Sequence, residues 1–377
     1  MVPVLREIGI LMVKKTTAII AVVVAVLAVT GVIAVAVMTN NSTTSSKVIY
    51  WQQVAPGNQK AAIANGTIAA GVSWEPFVDD SVLAGTGHVL IWSNQIWDSH
   101  PCCVLAVSSS FAQNNPGAVA AVLRADIDAT NWLLDAAAHP GSANYTLLVT
   151  IGSQFSARST DVVNDSLTHT RYDTQVTTAD KNWFVNFTTD FQALNQYTVN
   201  ITSKGYTGPA DYVNHLVDQS YYAQALLVQP VDHIIYNVSM GYLAGDLHQF
   251  ARLVASNATV GGGVSLFEKY GVHVTSPNLA GYVNGPAEMD AFAASSIDMG
   301  YLGAPPVLLK VINAGVNVKI VGLVNSEGSA IVASNSITDF AQLEGKIVGT
   351  PGPGSIQHLL FMYYAQQQGF TVKLAGT

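Results

Sequence analysis

The sequence predicts an α/β protein, and three observations carry that expectation. Apolar runs of strand length alternate with helical patterns along the body of the chain, which indicates largely parallel sheets with ligands at the carboxyl ends of strands. The 377 residues are enough to bury a substantial core, and the length fits one two-lobed protein or two domains. Residues 284–306, reading NGPAEMDAFAASSIDMGYLGAPP, place two helix starts beside the end of one strand. A helix opening at Asn284, Gly285 and Pro286 leads into an apolar strand over 297–301, and a second helix begins at 303–306. Proline at the first helical position sacrifices no hydrogen bond, and Asn or Gly before it is a usual cap. Unpaired N–H groups at two helix starts suit a small polar or anionic ligand; the same spacing also suits an ordinary α/β unit without one.

The N-terminus indicates an address. Arg6, Lys14 and Lys15 precede an uncharged apolar run over 18–38, long enough to cross a bilayer as a helix. Positive charge ahead of it keeps residues 1–16 in the cytoplasm and sends the body outside. A signal peptide cleaved near Ala34-Val35-Ala36 is the competing reading, but such apolar cores usually run about 7–15 residues. An uncleaved anchor over 17–38 is therefore preferred, and with no cysteine near it a lipoprotein anchor is excluded. TNNSTTSS, 39–46, is a polar linker without periodicity. Sequons at Asn40, Asn41, Asn65, Asn144, Asn164, Asn186, Asn200, Asn237 and Asn257 hint at an archaeal or similarly glycosylating cell surface. A chain this rich in Asn, Ser and Thr also yields several by chance. Only 11% of residues are charged and the net charge is −8, which argues against nucleic acid as a partner. Cys102 and Cys103 are adjacent and could close only on each other, so there is no disulfide framework.

Further along, a strand at 48–50 and a helix at 56–65 precede a strand at 68–74, closed by Trp74-Glu75-Pro76. A strand at 88–92, the loop SNQIWDSHP and a strand at 102–107 follow. In the helix 117–138, Val119, Val122, Leu123, Ile127 and Trp132 recur at helical spacing. Residues 139–228 read as helices over 146–156, 161–168, 182–195 and 209–225, with no catalytic constellation among them.

The wording is more specific than the spacing. GPAEMDAFAASSIDMGYLGAPPVLLKVINAGVNVKIVGLVNSEGSAIV resembles the substrate-binding proteins of ABC importers of the nitrate/sulfonate/taurine (NitT/TauT) type. The resemblance runs from YNVSMGYLAGDLHQF through LEGKIVGTPGPGSIQHLLFMYYAQQQGF, residues 236 to about 372. It implies a type II periplasmic-binding-protein-like fold with the cleft between lobes, plus the N-terminal transmembrane helix. Trp74-Glu75-Pro76 and HPCCVLAVSSSFAQNNPGAVAAVLRADIDATNWL also resemble this family, but there they come after the part just quoted. The order here reads as a circular permutation, with the usual C-terminal half at 47–227 and the usual N-terminal half at 236–377; the rival is that Thr377 is a premature end. Lobe 2 is expected at 47–101 and 335–377. Lobe 1 is expected at 102–334, including the helical region 139–228, with hinge crossings near Pro101 and Ser334.

The loops after strands supply the candidate ligand contacts. Asp246 and His248 lie at a helix start, where a capping or surface role is the alternative. Gly303 and Ala304 follow the strand at 297–301, and Gly303 permits close backbone approach. Ser329 lies in a polar turn after a strand at 319–323. Ser355, Gln357 and His358 form a Gly/Pro turn and first helical turn that faces an anion or is a solvated cap; no Gly-Lys-Ser/Thr makes it a Walker loop. Trp74 and Glu75 offer an aromatic wall and a carboxylate, or an ordinary core tryptophan. His100, Cys102 and Cys103 suggest soft metal ligation. Adjacent strand residues point to opposite faces, however, so no metal site is expected.

The resulting expectation is a non-enzymatic solute-binding component of an ABC importer, without cofactor. It would bind nitrate, a sulfonate such as taurine, bicarbonate or a related solute by hinge closure, and serve a permease and ATPase. A membrane-tethered sensor ectodomain is the alternative. A thiamin-pyrimidine-synthase-like enzyme is a further one, disfavoured because only one cysteine pair is present.

Overall fold

The computed structural model describes residues 47–376. The expected cytoplasmic segment 1–16, anchor 17–38 and linker 39–46 lie outside the described residues. Among the described residues no helix is long and apolar enough to cross a membrane. The strands in chain order are β1 (Lys47–Gln53), β2 (Ala70–Trp74), β3 (Gly87–Trp92), β4 (Cys103–Ser108), β5 (Thr170–Tyr172), β6 (Tyr236–Tyr242), β7 (Val272–Thr275), β8 (Met299–Gly303), β9 (Val318–Leu323), β10 (Asn325–Glu327), β11 (Ser329–Ser334), β12 (Ile347–Thr350) and β13 (Phe370–Leu374).

Two sheets carry the body from Val48 onward. One has the order β13-β1-β12-β2-β11-β3, the other β7-β6-β8-β4-β9, and a two-stranded ribbon pairs β5 with β10. Central strands are apolar on both faces because helices cover both; every residue of β2 and all but the last of β4 and β11 are buried. The sheets are largely parallel as expected, with one reversed strand in each. β1, β12 and β2 run parallel, as do β7, β6 and β8, but β11 is antiparallel to β2 and β3, and β4 to β8 and β9. β4 and β11 are the first strands after the chain crosses from one sheet to the other. They set out from the side where the parallel strands end, so they run back against them. In register terms, Cys103 at the start of β4 faces Gly303 at the end of β8, and Ser329 at the start of β11 faces Trp74 at the end of β2.

This pairing moves one expected boundary. β11 belongs to the six-stranded sheet, so the return crossing lies at the ribbon strand β10 and Gly328 rather than at Ser334. Pro101 on the other crossing bridges to Ser326. The strand expected at 297–301 begins two residues later, because Asp298 N is bound by Ser239 O before the ladder starts. The helix expected over 209–225 is two, Pro209–Leu216 and Ser220–Ala225. Between them Val217 pairs with Ile320, and Asp218 N donates to Ile320 O, so the intervening residues extend onto the edge at β9.

Helix ends follow their local chemistry. Pro116–Ala138 opens with proline, where the missing N–H has no helical partner to lose. Ala304–Ala314 opens on Pro305 and Pro306 and stops at Gly315, whose φ of 67° suits a residue without Cβ. Phe250, Tyr301, Phe184 and Phe187 are fully buried, and each such side chain contributes roughly 1.5–3 kcal/mol. β13 and β1, the last and first strands of the body, are neighbours.

Candidate functional site

The strand ends of the two sheets meet around one narrow cavity of about 10 Å3, the room of roughly one water molecule. Three helix N-termini reach it, through Gly285, through Gly303 and Pro306, and through Ser355, Ile356 and Gln357. Asn284 Oδ1 caps Gly285–Ala293 by accepting from Ala287 N at 3.0 Å, and Ser355 Oγ caps Ile356–Gln367 by accepting from His358 N at 3.2 Å. Ala304–Ala314 has no side-chain cap. Each N-terminus carries roughly half a positive charge, so their convergence favours an anion.

Asn284 also ties its helix start to the turn after β12, since its Nδ2 donates to Pro351 O at 2.8 Å. Asn284→Ala should therefore lose a cap worth about 1 kcal/mol and a buried hydrogen bond worth about 1 kcal/mol. A urea titration should show about 2 kcal/mol less stability, and an unchanged midpoint would mean that neither contact matters.

The turn after β6 supplies the charged side chains. Asp246 Oδ1 accepts from His248 N at 2.9 Å, which locks the turn. His248 Nε2 lies 2.8 Å from Gly328 O, an acceptor only, so Nε2 carries a proton; Nδ1 lies 3.3 Å from Cys102 Sγ. Burial pulls the His248 pKa down, but the Cys102 thiolate and Asp246 carboxylate outweigh it and hold it at about 9. The Cys103 thiol, donating to Cys102, lowers the Cys102 pKa to about 5 against burial, with His248 assisting. At neutral pH the pair is thus thiolate and imidazolium. Asp246 is pushed up by burial, with His248 pulling the other way.

The backbone places Cys102 and Cys103 outside the alternation of a strand. Cys102 precedes β4, held by its N–H to Asn325 O at 2.9 Å, while Cys103 N donates to Asn325 Oδ1 at 2.9 Å. Strand alternation therefore does not apply between them, and ligand atoms of Cys102, Cys103 and His248 all lie within 4.8 Å of one another.

Of the residues expected to line the site, Asp246, His248, Gly303, Ser355, Gln357 and Trp74 meet at the cavity. Trp74 is 3% exposed and its Nε1 has no hydrogen-bond partner among the described residues, leaving a donor for a ligand. Ser329 stands behind, its Oγ accepting from Gln357 Nε2 at 2.9 Å. Ala304 N is already committed to Cys102 O at 2.8 Å. Two expectations are corrected. Glu75 turns to the helix Thr160–His169, its Oε2 accepting from Asp79 N and lying 3.1 Å from Ser166 Oγ. His358 bonds Thr350 Oγ1 at 2.9 Å and packs edge-on against Trp51; burial lowers its pKa to about 4, so it is neutral. Cys102 and Cys103 line the cavity although no ligand role is expected of them. The motif HPCC just ahead of an apolar strand was the signal that could have found the cysteines.

Two sheets whose strand ends enclose a shared cavity are consistent with an α/β binding-protein fold. Residues 18–147 match the NMT1-like family, a span that takes in Trp74, both cysteines and the helix Pro116–Ala138. No match is found among curated proteins.

Proposed function

We propose that the protein is the extracytoplasmic, membrane-anchored solute-binding component of an ABC importer, taking a small anion such as nitrate, bicarbonate or a sulfonate between its lobes. The observation that carries this reading is the convergence of three helix N-termini and the His248 imidazolium on one cavity between the sheets. The match of residues 18–147 to the NMT1-like family supports it, as does the resemblance of residues 236–372. The adjacency of β13 and β1 supports a permuted segment order. Binding works by hinging: the present cavity holds about one water, so a larger solute enters with the lobes apart and closes them over itself. The protein performs no covalent chemistry in this reading, and its partners are a permease and an ATPase.

An incoming anion displaces the Cys102 thiolate as the counter-ion of His248, so binding takes a proton up onto Cys102. Affinity should fall up to tenfold per pH unit above about 5. A thermal-shift panel on the full-length protein with nitrate, bicarbonate, taurine and alkanesulfonates tests the reading. A ligand at a hundred times its Kd adds about 2.7 kcal/mol, and silence to every anion at pH 6 sinks it. A second reading has its own observation, the convergence of Cys102, Cys103 and His248, which suits a soft cation as solute. A shift with Zn2+ that is lost in Cys102→Ser, with none from anions, would select it.

A further inference from the structure

Away from the cavity, Glu75, Asp79 and His169 bring one ligand atom each to within 4.8 Å of one another. We propose that they form a site for a first-row divalent cation of the manganese or zinc class, which clasps lobe 2 to the helical layer of lobe 1. Glu75 and Asp79 come from the end of β2 and the helix Phe77–Leu83; His169 ends the helix Thr160–His169. That helix packs on Ala143–Ser156, which in turn packs on Pro116–Ala138 and Phe250–Ala255 of lobe 1. This inference does not rest on the solute reading.

Two buried carboxyl groups offer oxygens to a cation. Glu75 is 0% and Asp79 2% exposed, and Glu75 Oε1 and Asp79 Oδ2 find no donor among the described residues except each other's carboxyl, so without a cation one proton serves both. Buried carboxylate oxygens are ordinarily bonded, or coordinate a metal. Nor does a side-chain cation neutralise them: Lys60 and Arg158 both pair with Asp80, at 2.6 and 2.7 Å. Burial holds both acids well above the carboxylate range, with the charge of Asp79 adding to it at Glu75 and that of Asp165 at Asp79. His169 stacks on Trp92 at 4.0 Å between ring centroids, which fixes the ring with Nε2 3.9 Å from Asp79 Oδ1. With 31% of its side chain exposed, His169 leaves an entry path. Two carboxylates and one imidazole suit manganese or zinc; the imidazole disfavours calcium and magnesium, which take oxygen ligands.

Manganese is the probe, because buried thiols at the cavity bind it poorly and its free aqua ion has a six-line electron paramagnetic resonance signal that bound ion loses. Titrating the full-length protein should remove one equivalent of that signal. Asp79→Asn and His169→Ala should each weaken binding by more than about tenfold, while Cys102→Ser/Cys103→Ser leaves it unchanged. Asp79→Asn keeps the shape and removes a buried charge, and His169→Ala alters a half-exposed position, so at least one variant tests the site in a folded chain. Absence of binding in the wild type, or binding undiminished in both variants, overturns the proposal.

Discussion

Thermal unfolding in the presence of a chelator should give a higher Tm at pH 6 than at pH 8. The cause is a set of buried carboxyls that the fold holds uncharged. Asp126 is pushed up to about 7, first by burial, against the Tyr301 hydroxyl at 2.7 Å and the Arg252 charge. Glu288 is raised well above the usual range by burial, against Arg252, and both of its oxygens lack hydrogen-bond partners among the described residues. Glu75 and Asp79 are raised as well, burial first. A carboxyl with a raised folded pKa keeps its proton in the folded chain where the unfolded chain has released it. Stability therefore falls as pH rises from about 4 through the folded value.

Between pH 6 and 8 Asp126 alone removes about 1.4 kcal/mol, and the other three act in the same direction. Opposing them, burial lowers the pKa of His100, His169 and His358, the last to about 4, and His358 offsets roughly 0.8 kcal/mol over that interval. The Cys102–His248 pair nearly cancels above pH 7, since thiolate with imidazolium holds the same single proton as the unfolded thiol with neutral imidazole. With four carboxyls raised against these imidazoles, stability falls on going to pH 8, and Tm falls with it. Asp126→Asn keeps an acceptor for the Tyr301 hydroxyl and should flatten the difference by about 1.4 kcal/mol. A Tm that rises from pH 6 to pH 8 would show that these carboxyls fold in their charged form.

Gly328→Val should cost at least about 3 kcal/mol and abolish ligand binding. Gly328 sits at φ 77°, a conformation that costs a residue with Cβ about 1–2 kcal/mol and a β-branched one more. A Cβ there would lie 2.5 Å from His248 Nε2 and 2.7 Å from Thr170 Oγ1, and overpacking of that kind adds about 1–3 kcal/mol. The clash falls on the functional pair, because the Gly328 carbonyl is what holds His248 and also accepts from Glu75 N at 3.0 Å. Pushing His248 aside separates it from Cys102 and removes the imidazolium from the cavity. Urea unfolding reads the first effect and the ligand panel the second. A variant as stable as wild type would mean that the crossing between β10 and β11 has slack that its packing does not show.

Local physics accounts for what could be read in advance. Alternating apolar strands and helices declared the α/β class. The caps at Asn284, Asp246 and Ser355, with the prolines at 286, 305 and 306, marked helix starts correctly, because a cap depends only on residues within one turn. Those starts brought out Asp246, His248, Gly303, Ser355 and Gln357 as neighbours of the cavity.

Distance along the chain explains what could not be read. The direction of β4 and β11 depends on where the chain crosses between sheets, which their own apolar patterns do not encode. Cys102 and Cys103 share a cluster because Asn325, more than two hundred residues away, holds both their N–H groups just before the strand begins. Glu75 and His358 carry the right chemistry in the right motifs, but Ser166 and Thr350 claim them. The sequence by itself determined the fold class and the helix starts, which rest on short-range hydrogen bonds and periodicity. Only the tertiary structure decided strand direction, the thiolate–imidazolium pair and the acid cluster, because each is set by burial and by partners that the chain brings together from afar.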